Sequence, residues 1–375
     1  MLILSPQHWD LFLRGAVAGL LLHHVVHLLC PGPRPAARLA LAAFALSVLA
    51  YLFCQQAQVL LNLPRPLAWL LLAGCVSSPA WMWAASRALF DDGFTFVGWV
   101  AAALLAMLVL GLAANLPYFP AGEGPYLNHA PGSTVVRVGH LHALASLGFT
   151  AAALWEVAHG WRDDLVASRR AVRRWVALGI VLYSAVALVI DLALRGVAVG
   201  PLLPALHVAG IGLVALALSV VVARGSLADV LGPAARAEPA PAATAPTTAT
   251  AAGTGPAARA AEALARLDEA MVRQHAYRRE GLTLADLAGT LGMAEGALRE
   301  LINQRLGFRN FNDFLHHHRL QEAAARLVTE DLPILTVALE CGYGSIGPFN
   351  RAFKQRLGMT PTEYRVAGRL NRSSA

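Results

Sequence analysis

Residues 334–365 read ILTVALECGYGSIGPFNRAFKQRLGMTPTEYR. The apolar spacing predicts a short helix over 334–340. Gly342–Tyr343–Gly344 then breaks the periodicity, as a tight turn requires. A second helix is predicted over 345–356, with Phe349 and Phe353 four residues apart on its inward side. The pattern is helix, glycine turn, helix, and the polar side of the second helix is left uncommitted.

The same pattern stands upstream. Thr283 can cap a helix over 284–289, and Asp286 three residues on comes close to a capping box. Leu284, Leu287, Ala288 and Leu291 form its apolar side, and Gly292 turns the chain. A further helix starts at Glu295, with Leu298, Ile302 and Leu306 inward. Ala338 and Leu339 are expected to play the part of Ala288. Between the two units, Phe311, Phe314, Leu315, Leu320, Ala323, Ala324 and Leu327 predict one long helix over 311–329, stopped by Asp331 and Pro333. At 1.5 Å per residue it spans about 28 Å. Such a strut can hold two outer helices about 34 Å apart, one turn of DNA, so that both enter major grooves on one face. Ahead of the first unit, Leu264, Leu267, Met271 and His275 or Tyr277 predict a single helix over 258–281, ended by Gly281.

With this segment in view, residues 265–366 resemble the DNA-binding domain of the AraC/XylS family of bacterial transcription regulators. The resemblance rests on the apolar helix, the Gly-aromatic turn, Arg351-x-Phe353-Lys354, Gly358-x-Thr360-Pro361 and the closing Tyr364-Arg365. It implies base-reading positions at Glu295, Gly296, Arg299 and Glu300 in the first unit. In the second it implies Ile346, Gly347, Asn350 and Arg351, with Lys354 beside them on phosphate or in packing. Arginine suits guanine O6/N7, asparagine adenine, glutamate the cytosine amino group, and isoleucine a thymine methyl. The second unit is expected to carry more of the affinity, because Glu295 and Glu300 oppose phosphate on the first. Members of this family commonly carry a cupin-like sensing domain, and this chain has something else in that place.

Of the 375 residues, 57% are apolar and 14% charged, with a net charge of +7, one lysine (Lys354), and all eight tryptophans between Trp9 and Trp175. Soluble domains carry about 25% charged residues. The charge is unevenly spread: residues 258–375 hold 16 basic and 13 acidic residues, which leaves +3. Residues 225–257 are rich in Ala, Pro and Thr and read as a tether. Residues 1–224 contain seven apolar runs, near 9–30, 37–60, 67–90, 94–116, 138–159, 175–194 and 200–222, each near the length that crosses a bilayer. With the N-terminus outside, the inward side holds ten arginines and the outward side four, so the positive-inside rule puts the C-terminal domain in the cytoplasm. The glycines of the Gly15–Gly19 pair read as close helix packing.

Ionisable groups within the runs are the candidates for sensing. By depth, His140, His142, Asp191 and His207 could meet near the outer side as a signal pocket, or serve in helix packing. Neighbouring residues of a helix point about 100° apart, so His316–His318 cannot converge on one metal ion. Cys30, Cys54, Cys75 and Cys341 form no CxxC pair. No nucleophile elbow, P-loop, dinucleotide loop or HExxH motif occurs, so no catalytic residue, cofactor or metal is assigned.

The fold class expected is all-α: a seven-helix transmembrane bundle (1–224), the linker, and a cytoplasmic double helix-turn-helix domain (258–375). The function expected is a regulator tethered to the bacterial inner membrane, its alternative a transporter or membrane enzyme with an appended DNA-binding domain. The partners expected are double-stranded DNA and the lipid bilayer, with a small-molecule signal, a homodimer partner and RNA polymerase as further ones.

Overall fold

A computed structural model describes residues 6–54, 62–115, 134–193, 202–223 and 256–373. They fall into two units. The first is Met1–Trp161 with Ser168–Pro233, and the second is Arg162–Ala167 with Ala234–Ala375. All regular elements among the described residues are helices.

The first unit has helices α1 (Pro6–Leu29), α2 (Pro35–Cys54), α3 (Arg65–Phe90), α4 (Gly98–Asn115), α5 (Thr134–Ala158), α6 (Ala167–Ala193) and α7 (Leu202–Ala223). Five of these, α1 to α5, are long and apolar enough among the described residues to cross a membrane; α7 contributes a shorter apolar stretch, Ala205–Ala217. Among the described residues, five helices therefore meet the length and composition of a span where seven were expected. Helix α3 packs on α2, α4 and α5, while α1 packs on α2 and α7. Small residues set these contacts. A Cβ added to Gly74 would stand 2.6 Å from Ala50 Cβ, and one added to Gly111 would stand 2.5 Å from Val76 Cβ. A Cβ at Gly212 would meet Val17 at 2.8 Å. Gly15 and Gly19, expected to make such contacts, have nothing within 4 Å of an added Cβ. The close-packing face of α1 is the one that carries Val17 instead. Phe12, Leu70, Leu105, Leu144, Trp155 and Leu213 are exposed, an apolar exterior suited to lipid.

Several arginines counted for orientation also close helix ends. Arg34 donates to the Asp91 carbonyl at 2.7 Å, and Arg169 to the Phe90 carbonyl at 2.7 Å, both at the C-terminus of α3. Both also pair with Asp92, at 3.1 and 2.9 Å. Arg38 takes the last carbonyls of α1, and Arg173 those of Val157 and His159 at the end of α5. Helix C-termini leave carbonyls without partners and carry partial negative charge, which a guanidinium answers on both counts. Asp191's side chain, Arg195, Arg224, Arg236 and all but the last two residues of 225–257 lie outside the described residues.

The second unit has α8 (Pro256–Asp268), a π turn (Glu269–Arg273), a 3-10 turn (Ala276–Arg278), α9 (Leu284–Thr290), α10 (Glu295–Leu306), α11 (Phe311–Thr329), α12 (Ile334–Glu340), α13 (Ile346–Leu357) and α14 (Pro361–Ser373). The single helix expected over 258–281 is broken. The chain turns at His275, which takes a left-handed φ of 50°, and this lets Tyr277 bury its ring. Two cores share one strut. Phe311, Phe314 and Leu315 of α11 pack with Leu267, Met271, Leu287, Leu298 and Ile302. Leu320, Ala323 and Leu327 of the same helix pack with Val337, Ala338, Cys341, Phe349 and Phe353.

Candidate nucleic-acid interface

Each helix-turn-helix is fixed by local chemistry. In the first, Thr283 and Asp286 form a full capping box: Asp286 N donates to Thr283 Oγ1 at 3.1 Å and Thr283 N to Asp286 Oδ2 at 3.1 Å. Gly292 turns with φ +63° and Gly307 ends α10 with φ +75°. In the second, Gly342 turns with φ +92° and Gly358 ends α13 with φ +78°. Thr360, Pro361 and Glu363 start α14: Thr360 N donates to Glu363 Oε2 at 2.7 Å, with Pro361 at the first helical position. The Gly-Met-Thr-Pro-Thr-Glu-Tyr-Arg segment is thus a helix stop followed by a helix start. Tyr364 seals it by meeting the Phe353 ring edge-on at 5.4 Å.

The inward residues lie where the spacing put them. Leu298, Ile302, Phe349 and Phe353 are fully buried, as is Ala338. Leu339 is 47% exposed, so Ala338 alone is the counterpart of Ala288. This follows from the turn: Ala338's carbonyl accepts from Tyr343 N at 3.1 Å, as Ala288's accepts from Met293 N at 3.0 Å, and the residue after each faces out.

The outward residues differ between the units. On α10, Glu295, Gly296 and Glu300 are exposed, but the Arg299 side chain is only 14% exposed. Arg299 is paired with Glu295 one turn back and reaches the Arg162 carbonyl at 3.5 Å. On α13, Asn350, Arg351 and Lys354 are exposed, Ile346 packs partly on the second core, and an added Cβ at Gly347 would lie 3.6 Å from Arg351 Nη1. The absent side chain at Gly347 leaves the surface over which Arg351 lies. No carboxylate stands on α13, whereas α10 carries two. The electrostatics therefore favour an anionic partner more on the second helix.

A family model described as "Helix-turn-helix domain" matches residues 287–367. The chain is 30% identical over 93 residues to the probable transcription factor PqrA of Proteus vulgaris, covering 25% of this chain and 75% of that protein. The chain belongs to the AraC/XylS-type helix-turn-helix regulators. It is also 38% identical over 96 residues to the HTH-type transcriptional regulator GadX of Escherichia coli (strain K12), covering 25% of this chain but only 34% of GadX. It thus spans about a third of that relative's length. No solved structure matches.

The AraC/XylS-type domain here is braced by residues that sequence reasoning missed. Arg319, 8% exposed, donates from Nε to the Tyr277 carbonyl at 2.7 Å and from Nη2 to the Arg279 carbonyl at 2.9 Å. Its guanidinium lies 5.5 Å from the Tyr343 ring centre, so it ties the segment before the first unit to the turn of the second. The signal was present: Arg319 stands four residues from both Leu315 and Ala323, on the buried stripe of α11. Glu322 joins Arg278, at 2.6 Å, to Arg326, which also pairs with Glu330 and Glu340. His316, His317 and His318 go to three partners: the Tyr343 hydroxyl at 2.9 Å, Arg356 Nη2 at 2.7 Å and the Tyr277 ring by stacking. Burial lowers all three histidines, and takes His316 and His318 to about 4.

In the first unit, the histidines expected to meet have separate immediate neighbours. His142 Nε2 lies 3.0 Å from the Val76 carbonyl, beside Gly111, while the His207 ring lies 5.6 Å from Tyr51. His140 is exposed.

Proposed function

We propose that the chain is a membrane-tethered, sequence-specific DNA-binding transcription regulator that couples a membrane or periplasmic signal to promoter binding. One observation carries the DNA-binding part: two helix-turn-helix units are locked to one strut, α11, with α10 and α13 turning Glu295, Gly296 and Glu300, and Asn350, Arg351 and Lys354, outward. Major-groove readers of this type insert such a helix and contact base edges through its outer side chains. The family membership and the relatives named as transcription regulators support the reading. Arg351 is assigned to a guanine edge, Asn350 to adenine and Lys354 to phosphate. The five apolar helices support the tether, and the ten-to-four arginine distribution supports a cytoplasmic C-terminal domain. His140, His142, Asp191 and His207 are retained as the groups that sense the signal. The test is joint. A reporter fused after residue 230 should behave as cytoplasmic and one inserted at 120–135 as periplasmic, and DNA recovered with the full chain from cells should be enriched in one sequence. Reversed reporters or unenriched DNA would refute the reading.

A further inference from the structure

The second unit contains a segment that the family pattern does not supply. Arg162–Ala167 is part of it, although in sequence this segment lies between α5 and α6. It is held by a short antiparallel pairing. Asp164 faces Asn310, Leu165 N donates to the Arg309 carbonyl at 2.9 Å, and Phe311 N donates to the Asp163 carbonyl at 2.8 Å. The Phe311 amide is one of the first N–H groups of α11, which a helix cannot satisfy internally. The Asp163 carboxylate also accepts from Asn312 Nδ2 at 3.0 Å. Leu165 is 2% exposed and belongs to the core that holds α10 against α11. Backbone pairing, a capped helix start and a buried leucine together make this a built docking site.

The segment ends at the helix assigned to read DNA. The Arg162 carbonyl and the Glu295 carboxylate both accept from Arg299 Nη2. Arg299 is thereby folded along α10 and largely covered, whereas Arg351 on α13 is exposed. An arginine that grips O6 and N7 of guanine has to extend from the helix with its fork uncovered.

We infer that Arg162–Ala167 is a regulatory strap of the DNA-binding unit: docked, it withholds Arg299 from DNA, and released, it frees the first recognition helix. This rests on the DNA-reading assignment of α10. Because the strap is covalently continuous with α5 and α6, a change in those helices has a direct handle on Arg299. The coupling needs a differential: DNA prefers the released state, so any signal that stabilises docking lowers DNA affinity.

The strap can be locked. Asp164 and Asn310 form the closely spaced kind of antiparallel pair, about 4.5 Å between Cα atoms, which lies within the range a disulfide spans. The full chain carrying Asp164→Cys and Asn310→Cys, with the exposed Cys30 replaced by Ser, is purified in detergent. It is titrated with the duplex enriched by the wild-type chain and with a scrambled duplex, oxidised and then reduced. The oxidised form should bind the preferred duplex about tenfold more weakly than the reduced form, the worth of one lost guanine contact. Leu165→Asp, which expels the strap, should bind about tenfold more tightly than wild type, and the gain should vanish in Leu165→Asp/Arg299→Ala. If oxidised and reduced forms bind the preferred duplex equally and still reject the scrambled one, the strap is refuted while the DNA-binding reading stands. If neither form distinguishes the two duplexes, the DNA-binding reading itself fails. The oxidation arm decides the matter even if Leu165→Asp does not fold.

Discussion

Gly342 and Gly292 occupy the same turn in the two helix-turn-helix units, and replacing each with alanine separates backbone conformation from packing. Both have positive φ, +92° and +63°. A Cβ at Gly292 meets nothing within 4 Å. One at Gly342 would stand 2.7 Å from the carbonyl oxygens of both Tyr277 and Arg278. These oxygens are backbone and cannot rotate away. One of their two peptides is held by Arg319, which takes the Tyr277 carbonyl. Gly292→Ala therefore costs the conformational term alone, at least about 1 kcal/mol for an L side chain in the left-handed region. Gly342→Ala adds overpacking of about 1–3 kcal/mol to it, for about 2–4 kcal/mol in all. Hydrogen exchange followed by mass spectrometry on the full chain in detergent reads this locally. Peptides from α12 and α13 should lose protection about 30-fold or more in Gly342→Ala, and peptides from α9 and α10 about fivefold in Gly292→Ala. Equal losses at the two sites would refute the claim that the second turn is wedged against the 276–280 segment.

Arg351→Ala should cost about 1–3 kcal/mol on the preferred duplex and relax preference at one base position; a uniform loss on all sequences, with a shallower salt dependence, would reassign it to phosphate. His316 and His318 are half-buried, and their partial burial lowers their values from 6.5 to about 4. The unfolded chain therefore binds protons that the folded one does not, and stability is full above about pH 6.5 and falls as pH drops toward about 4, by at most about 3 kcal/mol per histidine. Protection of α11 amides, corrected for intrinsic exchange rate, should show this between pH 7 and pH 5, and His316→Asn/His318→Asn should remove most of the slope, leaving the part that belongs to His317. His207→Ala should alter the promoter response while leaving the amount of protein in the membrane unchanged; an unaltered response would remove it from the sensing group.

The C-terminal unit was legible because its glycines, caps and apolar residues act locally. Thr283–Asp286, Gly307, Gly358 and Thr360–Glu363 each set a helix end within a few residues, and α9 to α13 lie within a residue or so of their expected bounds. What escaped depends on long-range partners. The turn at His275 exists because Tyr277 must reach α11, and Arg319 is buried because two carbonyls 42 and 40 positions earlier receive it. Arg299 was legible as a polar residue on an outward face, but its cover comes from Arg162, 137 positions earlier. In the first unit, hydropathy marks helices without saying which small residues face each other. Gly15 and Gly19 thus drew the packing that Gly74, Gly111 and Gly212 perform.

In the proposed function, one chain presents two recognition helices, α10 and α13, to one stretch of duplex. Hydroxyl-radical and methylation footprinting of the full chain in detergent on its enriched duplex tests this most directly. Two protected major-groove segments are expected on one face of the DNA, centred about 34 Å apart, with Arg351→Ala erasing contacts in one segment and sparing the other. A single protected segment, or uniform protection independent of sequence, would contradict it.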